Sequence, residues 1–166
     1  MIDKSPEKAG VPVIDASSTT DAVITMTHVL EAPREVVWSA FTDPKHVVRW
    51  YGGKGFENTI REMDVRPGGH WRHVMTTPDG VRHSLHFVFV EVVRPAKLSW
   101  RTERGQDGEP AGFNTITLEE QGDETRVTFV CRFGSIAERD LAMRWGFATV
   151  LREGVDRMAG VLASLV

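Results

Sequence analysis

The spacing of hydrophobic positions changes twice along the chain and divides it into three parts. Residues 23–30 read VITMTHVL, a β-branched run typical of a strand. Residues 56–133 alternate between short apolar–polar stretches and turn residues, which predicts about six consecutive antiparallel strands. Residues 136–165 have apolar side chains three and four positions apart, which predicts one long amphipathic helix. Its apolar stripe is Leu141, Trp145, Ala148, Leu151, Val155, Met158, Leu162 and Leu165.

Two short helices are predicted between the first strand and the later strands. Pro33 suits the first turn of a helix, where the missing backbone N–H is not needed. Asp43-Pro44 repeats this signal with an N-cap residue before the proline, and the second helix runs to about Trp50. The whole order predicts an α+β domain in which a curved antiparallel sheet of about seven strands surrounds the long C-terminal helix.

The size of the chain indicates one folded domain. Its 166 residues are enough for a core that needs neither metal nor disulfide. Residues 1–20 show no periodicity, so we predict a loose N-terminal leader followed by one domain over residues 21–166. The alternative is a short extra strand within the leader that packs on the body.

Turn residues predict the register of two hairpins. Thr77-Pro78-Asp79-Gly80 suits a type I turn followed by a left-handed glycine, which pairs Trp71 with Phe87 and His73 with Leu85. A two-residue Gly122-Asp123 loop pairs Ile116 with Phe129. Both registers gather apolar residues on one face, and a shift of one residue would scramble them. A long loop is predicted from Gly105 to Gly112.

The face predicted to point inward is mostly apolar and aromatic, with few polar groups. Such a wall is typical of a small-molecule pocket, although the same side chains could instead fill the interior completely. The residues expected to contact a ligand are Trp50, Phe56, Trp71, His73, His83, Leu85, Phe87, Trp100, Asn114, Phe129, Trp145 and Leu151.

The histidines do not predict a metal site. The hairpin register turns His73 and His83 inward but His70 and His86 outward, so no set of three ligands forms. His73 and His83 could act as a general acid–base pair on a bound molecule, but the simpler interpretation is that they are polar groups lining a pocket. Cys131 is expected to pack as a small apolar residue. We therefore predict no catalytic residue, no metal and no cofactor.

Charge and composition narrow the possible partners. The formal net charge of -3 gives no general attraction to nucleic acid or to anionic membranes. One cysteine allows no internal disulfide, which favours a reducing compartment. No apolar run approaches the length needed to span a bilayer, and the N-terminus has no apolar signal-peptide core. We expect a cytoplasmic monomer or homodimer without membrane insertion.

Several motifs in combination resemble one protein family. They are Ala32-Pro33-Arg34-Glu35-Val36-Val37-Trp38, Thr42-Asp43-Pro44 with Trp50, Asp64-Val65-Arg66-Pro67-Gly68-Gly69, Pro78-Asp79-Gly80, Glu91-Val92-Val93 with Pro95 and Leu98, and Asp156-Arg157-Met158. Residues 22–165 thereby resemble the family of homologs of the activator of the heat-shock-protein-90 ATPase, in the START-like or SRPBCC superfamily. Relatives often have Gly-Trp one turn before the Asp-Arg pair, where this chain has Val150-Leu151.

The resemblance implies a helix-grip fold with a hydrophobic pocket between the sheet and the C-terminal helix, but no catalytic residue. It therefore favours binding of a small hydrophobic or aromatic ligand without catalysis. Two alternatives stay open at this point. One is a polyketide cyclase-like or hydrolase-like enzyme that uses the pocket histidines, and the other is a co-chaperone-like protein-interaction module.

Overall fold

The predicted α+β fold, with an antiparallel sheet and a helical C-terminal segment, is confirmed in the computed structural model, which describes residues 11–103 and 112–166. Two predictions therefore lie partly outside the described residues. They are the loop from Gly105 to Gly112, except for Gly112 itself, and the first ten residues of the predicted leader. The elements are β1 (Val13–Asp15), β2 (Val23–Leu30), α1 (Arg34–Thr42), α2 (Pro44–Trp50), β3 (Glu57–Met63), β4 (His70–Thr76), β5 (Arg82–Val93), β6 (Lys97–Thr102), β7 (Gly112–Gln121), β8 (Glu124–Phe133), α3 (Ile136–Arg144) and α4 (Phe147–Ala163).

The described strands form one antiparallel sheet in the order β1-β2-β8-β7-β6-β5-β4-β3. Both predicted registers are confirmed, since Trp71 pairs with Phe87 and Ile116 pairs with Phe129. Irregularities in pairing fall after Ile60 in β3 and after Phe89 in β5, and bulges of this kind increase the bend of a strand. One face of the curved sheet is thus left concave toward the helices.

The sheet has one strand more than the sequence predicted. Residues 13–15 lie within the predicted leader but form the edge strand β1, which pairs Ile14 with Met26 of β2. Helix α3 holds the chain after β1 in place, because the buried Arg139 donates hydrogen bonds to the carbonyl oxygens of Ser18 and Asp21 at 2.6 and 3.0 Å. The second half of the predicted leader is therefore attached to the body.

Both short helices begin where the proline signals predict. Pro33 has an extended backbone and α1 starts at Arg34. The Asp43 side chain accepts a hydrogen bond from the backbone N–H of Lys45 at 2.9 Å, and Pro44 is the first residue of α2. The indole N–H of Trp50 donates to the carbonyl oxygen of Ala40 at 2.8 Å, which ties the end of α2 back to α1.

The prediction of a single helix over residues 136–165 is wrong. Helix α3 ends at Arg144, and α4 begins at Phe147 after Gly146, whose φ of 91° lies in the left-handed region. An apolar stripe alone did not reveal the break, because Trp145 and Ala148 keep the helical spacing across Gly146. The break turns Trp145 outward with 60% exposure, whereas Met158 and Leu162 of α4 are buried.

We predict that Gly146→Ala lowers the free energy of unfolding by about 1 kcal/mol, because a left-handed backbone is unfavourable for a residue with a Cβ atom. Steric contact is not involved, since a Cβ atom there meets nothing within 4 Å. Gly160→Ala is the matched control, at an equally open position inside α4, and should stabilise by about 0.5–1 kcal/mol. Urea unfolding of both variants would contradict the prediction if their effects had the same sign.

Candidate functional site

A cavity of about 480 Å³ lies between the inner face of the sheet and the helices α3 and α4. Its walls come from β2, the end of α2, β5 to β8 and both C-terminal helices. Apolar and aromatic side chains make up most of the lining, with Met26, Leu30, Ile116 and Val127 at its floor on the sheet. The aromatic residues on the lining are Phe41, Trp50, Tyr51, Phe56, Phe87, Trp100, Phe129, Phe133, Trp145 and Phe147.

Most of the residues expected to contact a ligand line this cavity. They are Trp50, Phe56, His83, Leu85, Phe87, Trp100, Asn114, Phe129, Trp145 and Leu151. Trp71 and His73 do not belong to the lining, although the predicted register correctly turns them to the inner face. Their exposed fractions are 2% and 1%. Whether the lining residues contact a ligand stays a prediction.

Tyr51 is the reason why Trp71 and His73 are excluded from the cavity. Its ring lies 4.5 Å from the His73 ring and 5.7 Å, edge to face, from Trp71. Trp71 also packs against Phe87 at 4.8 Å and stacks on Phe89 at 5.8 Å. The sequence placed Trp71 and His73 on the correct face of the sheet, but it held no signal that Tyr51 would cover that part.

Asn58 connects His73 to the end of α2. The Asn58 amide nitrogen donates to the carbonyl oxygens of Val48 and Tyr51 at 3.2 and 2.9 Å. Its amide oxygen therefore accepts from Nε2 of His73 at 2.8 Å, which places the proton of a neutral imidazole on Nε2. Burial lowers the pKa of His73 to about 4, and its Nδ1 is buried without a hydrogen bond.

Helix α4 is attached to the loop after α2 by the Arg157 side chain. One guanidinium nitrogen, Nη1, donates to the carbonyl oxygens of Tyr51 and Gly53, both at 2.9 Å. The absence of a side chain at Gly154 allows close approach, since a Cβ atom there would lie 3.3 Å from the carbonyl oxygen of Gly52. Sequence analysis had identified the Asp156-Arg157-Met158 motif but did not predict this contact.

The cavity opens beside the start of β5. Consecutive residues from His83 to Phe87 line it, although their side chains alternate between the two faces of the sheet. Among the described residues, the first pair between β5 and β6 is Phe87 with Thr102. Residues 83–86 of β5 therefore precede the part of the strand that pairs with β6. Trp145 both lines the cavity and is largely exposed, which places it at the opening.

The structure separates the two histidines considered as a general acid–base pair. His73 is held by Asn58 away from the lining, so it does not face a bound molecule together with His83. Burial raises the pKa of the Cys131 thiol to about 12, which keeps it protonated and unreactive near neutral pH. Within residues 11–103 and 112–166, no three His, Cys, Asp or Glu side chains are grouped so that they could hold a metal ion.

A second pair of histidines, His70 and His86, lies on the face of β4 and β5 opposite Trp71 and His73, with His86 also at the edge of the cavity lining. Nδ1 of His70 and Nε2 of His86 are 2.8 Å apart and share a hydrogen bond. Partial burial, followed by the positive charges of Arg72 and His70, lowers the pKa of His86. The sheet register gives both residues the predicted parity, but His86, which was predicted to face outward, also belongs to the cavity lining because the cavity opens at this stretch of β5.

Comparison with known proteins agrees with this architecture. The sequence model of the family described as "Activator of Hsp90 ATPase homolog 1-like protein" matches residues 31–166. The chain belongs to this family. The resemblance drawn from the short motifs is thereby confirmed, and with it the START-like, helix-grip fold. The search of curated proteins found no significant match.

Solved structures of bacterial proteins share the fold at low sequence identity. The solution structure of a protein from Arthrobacter aurescens is 22% identical with a TM-score of 0.85, over 92% of this chain and 91% of that one. A crystal structure from Mycobacterium smegmatis is 22% identical with a TM-score of 0.80, over 94% and 96%. One from Rhodobacter sphaeroides is 21% identical with a TM-score of 0.82, over 93% and 99%. At these identities the likeness concerns the fold alone.

The described helices lack the length and hydrophobicity of a membrane span.

We predict that Arg157→Met lowers the free energy of unfolding by about 2 kcal/mol, because two backbone carbonyl oxygens lose a charged donor. Arg152→Met is the matched control on an exposed face of the same helix and should change stability by less than about 0.5 kcal/mol. Urea denaturation measures both. Equal effects of the two substitutions would show that Arg157 does not hold the loop.

We predict that His73 makes stability depend on pH between about 4 and 6.5. The unfolded chain protonates this histidine below its ordinary pKa of 6.5, whereas the folded protein keeps it neutral down to about 4. The unfolded state therefore binds more protons in this window, and stability falls as the pH falls through it, by roughly 3 kcal/mol in total. Above the window, this contribution to stability is complete.

The variant His73→Gln tests this assignment because glutamine keeps an amide donor but does not titrate. Urea unfolding at several pH values should show a flatter dependence for the variant than for the unchanged protein. Identical slopes for the two proteins would contradict a neutral, buried His73.

Proposed function

We propose that this protein binds a small hydrophobic or aromatic molecule in the cavity between its sheet and its C-terminal helices. The observation that carries the proposal is the cavity itself, about 480 Å³ within walls of mainly aromatic and aliphatic side chains. Protein interiors are packed as densely as organic crystals and contain few voids larger than a water molecule. A space of this size lies within the range of sites that enclose small molecules.

The family supports the same proposal. Its members commonly bind hydrophobic ligands, and the present chain belongs to it. The position of the cavity also fits, since it lies where the concave sheet faces α4 and opens beside Trp145. A ligand could therefore enter without separation of the sheet from the buried part of α4.

The proposal includes no catalytic step. The enzyme alternative depended on His73 and His83 acting together on one bound molecule, and His73 hydrogen-bonds to Asn58 behind Tyr51 instead. The protein-interaction alternative has no single surface in the described residues that favours it. Binding is thus the function that the site supports best.

We expect neutral aromatic and aliphatic compounds to raise the melting temperature of the protein. A ligand present at 100 times its Kd stabilises by about 2.7 kcal/mol, which corresponds to roughly 5–10 °C for a domain of this size. Leu85→Trp should abolish the shift, because Leu85 lines the cavity and the larger side chain would occupy it.

Val90→Trp is the matched control for this substitution. Val90 lies on the same strand as Leu85 but is 42% exposed and outside the lining, so the same ligand shift should persist. A panel that produces no shift, or a shift retained in Leu85→Trp, would refute binding in this cavity.

A further inference from the structure

The side chain of Asn114 lies on the cavity lining without a hydrogen bond among the described residues. Asn114 is 9% exposed, lines the cavity and lies between Trp100 of β6 and Cys131 of β8 in the sheet register. None of the side-chain hydrogen bonds within the described ranges 11–103 and 112–166 involves its carboxamide, which faces the open space of the cavity. His28 and His83, which also line the cavity, each have an interaction, although Nδ1 of His83 is itself buried without a hydrogen bond.

Asparagine side chains in an apolar environment usually have a hydrogen-bonding partner. Buried amide groups are nearly always hydrogen-bonded, because removing them from water without a partner is unfavourable. A carboxamide has two donor hydrogens and one acceptor oxygen, so Asn114 can serve either a hydroxyl or a carbonyl group. The neighbouring inward residue on β7 is Ile116, which is fully buried and apolar. Asn114 is thus an isolated polar point on an apolar wall.

The charges around the cavity restrict what could bond there. Of the described lining residues, none is lysine or arginine. The carboxylate of Glu103 lies on the lining and forms an ion pair with Arg101. Histidines are the only lining residues of the described chain that can become positively charged, so a carboxylate on a ligand would lose its water without gaining a permanently charged partner, which disfavours it.

We propose that Asn114 is the specificity-determining residue of the cavity, and that the ligand is an uncharged aromatic molecule whose hydroxyl or carbonyl group hydrogen-bonds to this carboxamide. The inference rests on the proposed function, because it names the chemical class that the same cavity binds. The aromatic part of the molecule packs against the rings of the wall, among them Trp100 and Phe129. The polar group fixes its orientation at Asn114.

Three probes of similar shape test the proposal: naphthol, methylnaphthalene and naphthoate. Titration calorimetry at neutral pH should show that naphthol binds about tenfold more tightly than methylnaphthalene. A hydrogen bond to an otherwise unsatisfied amide contributes free energy of the size that a tenfold difference in affinity requires. Naphthoate, which is charged at this pH, should bind at least tenfold more weakly than naphthol.

Asn114→Leu removes the polar group at similar volume. The variant should bind naphthol and methylnaphthalene equally within about twofold, while its affinity for methylnaphthalene is retained. Thr115→Val is the matched control, because Thr115 is the next residue on β7, is outside the lining and should leave the tenfold preference unchanged. The melting temperature of ligand-free Asn114→Leu should not fall, whereas a purely structural asparagine would lower it on removal.

The outcomes separate the two proposals. Equal binding of naphthol and methylnaphthalene to the unchanged protein would overturn the role of Asn114 while leaving cavity binding intact. A tenfold preference that persists in Asn114→Leu would do the same, and tight binding of naphthoate would overturn the restriction to uncharged ligands. Failure of all three probes to bind the unchanged protein would overturn the proposed function and this inference together.

Discussion

The position of the cavity depends on how the loop after α2 is held. The carbonyl oxygen of Tyr51 accepts hydrogen bonds from two sides, from Asn58 of β3 and from Arg157 of α4, each at 2.9 Å. These bonds join the edge of the sheet, the end of α2 and the C-terminal helix at one backbone atom. The Tyr51 ring is thereby fixed over Trp71 and His73, and the space left beyond it is the cavity. Without Arg157, α4 would lose two of its hydrogen bonds to the loop after α2.

The two ends of the inner face consequently differ in physical character. Behind Tyr51, side chains fill the interior, with Trp71 stacked on Phe89 and His73 kept neutral by burial. On the other side of Tyr51, the wall is equally apolar but the space is open. A single sheet therefore supplies a packed half that contributes stability and an open half that is available for binding. Aromatic residues occur in both, so composition alone does not distinguish them.

This difference explains how much could be predicted from the sequence. Turn residues determine strand parity, and hairpin geometry is local, so the faces of β4, β5, β7 and β8 could be derived correctly. Tyr51 and Arg157 act across about a hundred positions of sequence, and no periodicity reports such a contact. The break at Gly146 was missed for a different reason, because glycine is tolerated inside helices and the apolar stripe continued through it.

Two asparagines, the half-buried Asn58 and the buried Asn114, show why the open half indicates a ligand. Asn58 and Asn114 carry the same carboxamide and both lie on inward-facing walls, yet Asn58 is bonded through both its oxygen and its nitrogen. An amide with the same needs at position 114 faces empty space between an indole and a thiol. Asn114 lies where a bound molecule would lie, and the chemistry of its carboxamide indicates which atoms of that molecule would be polar.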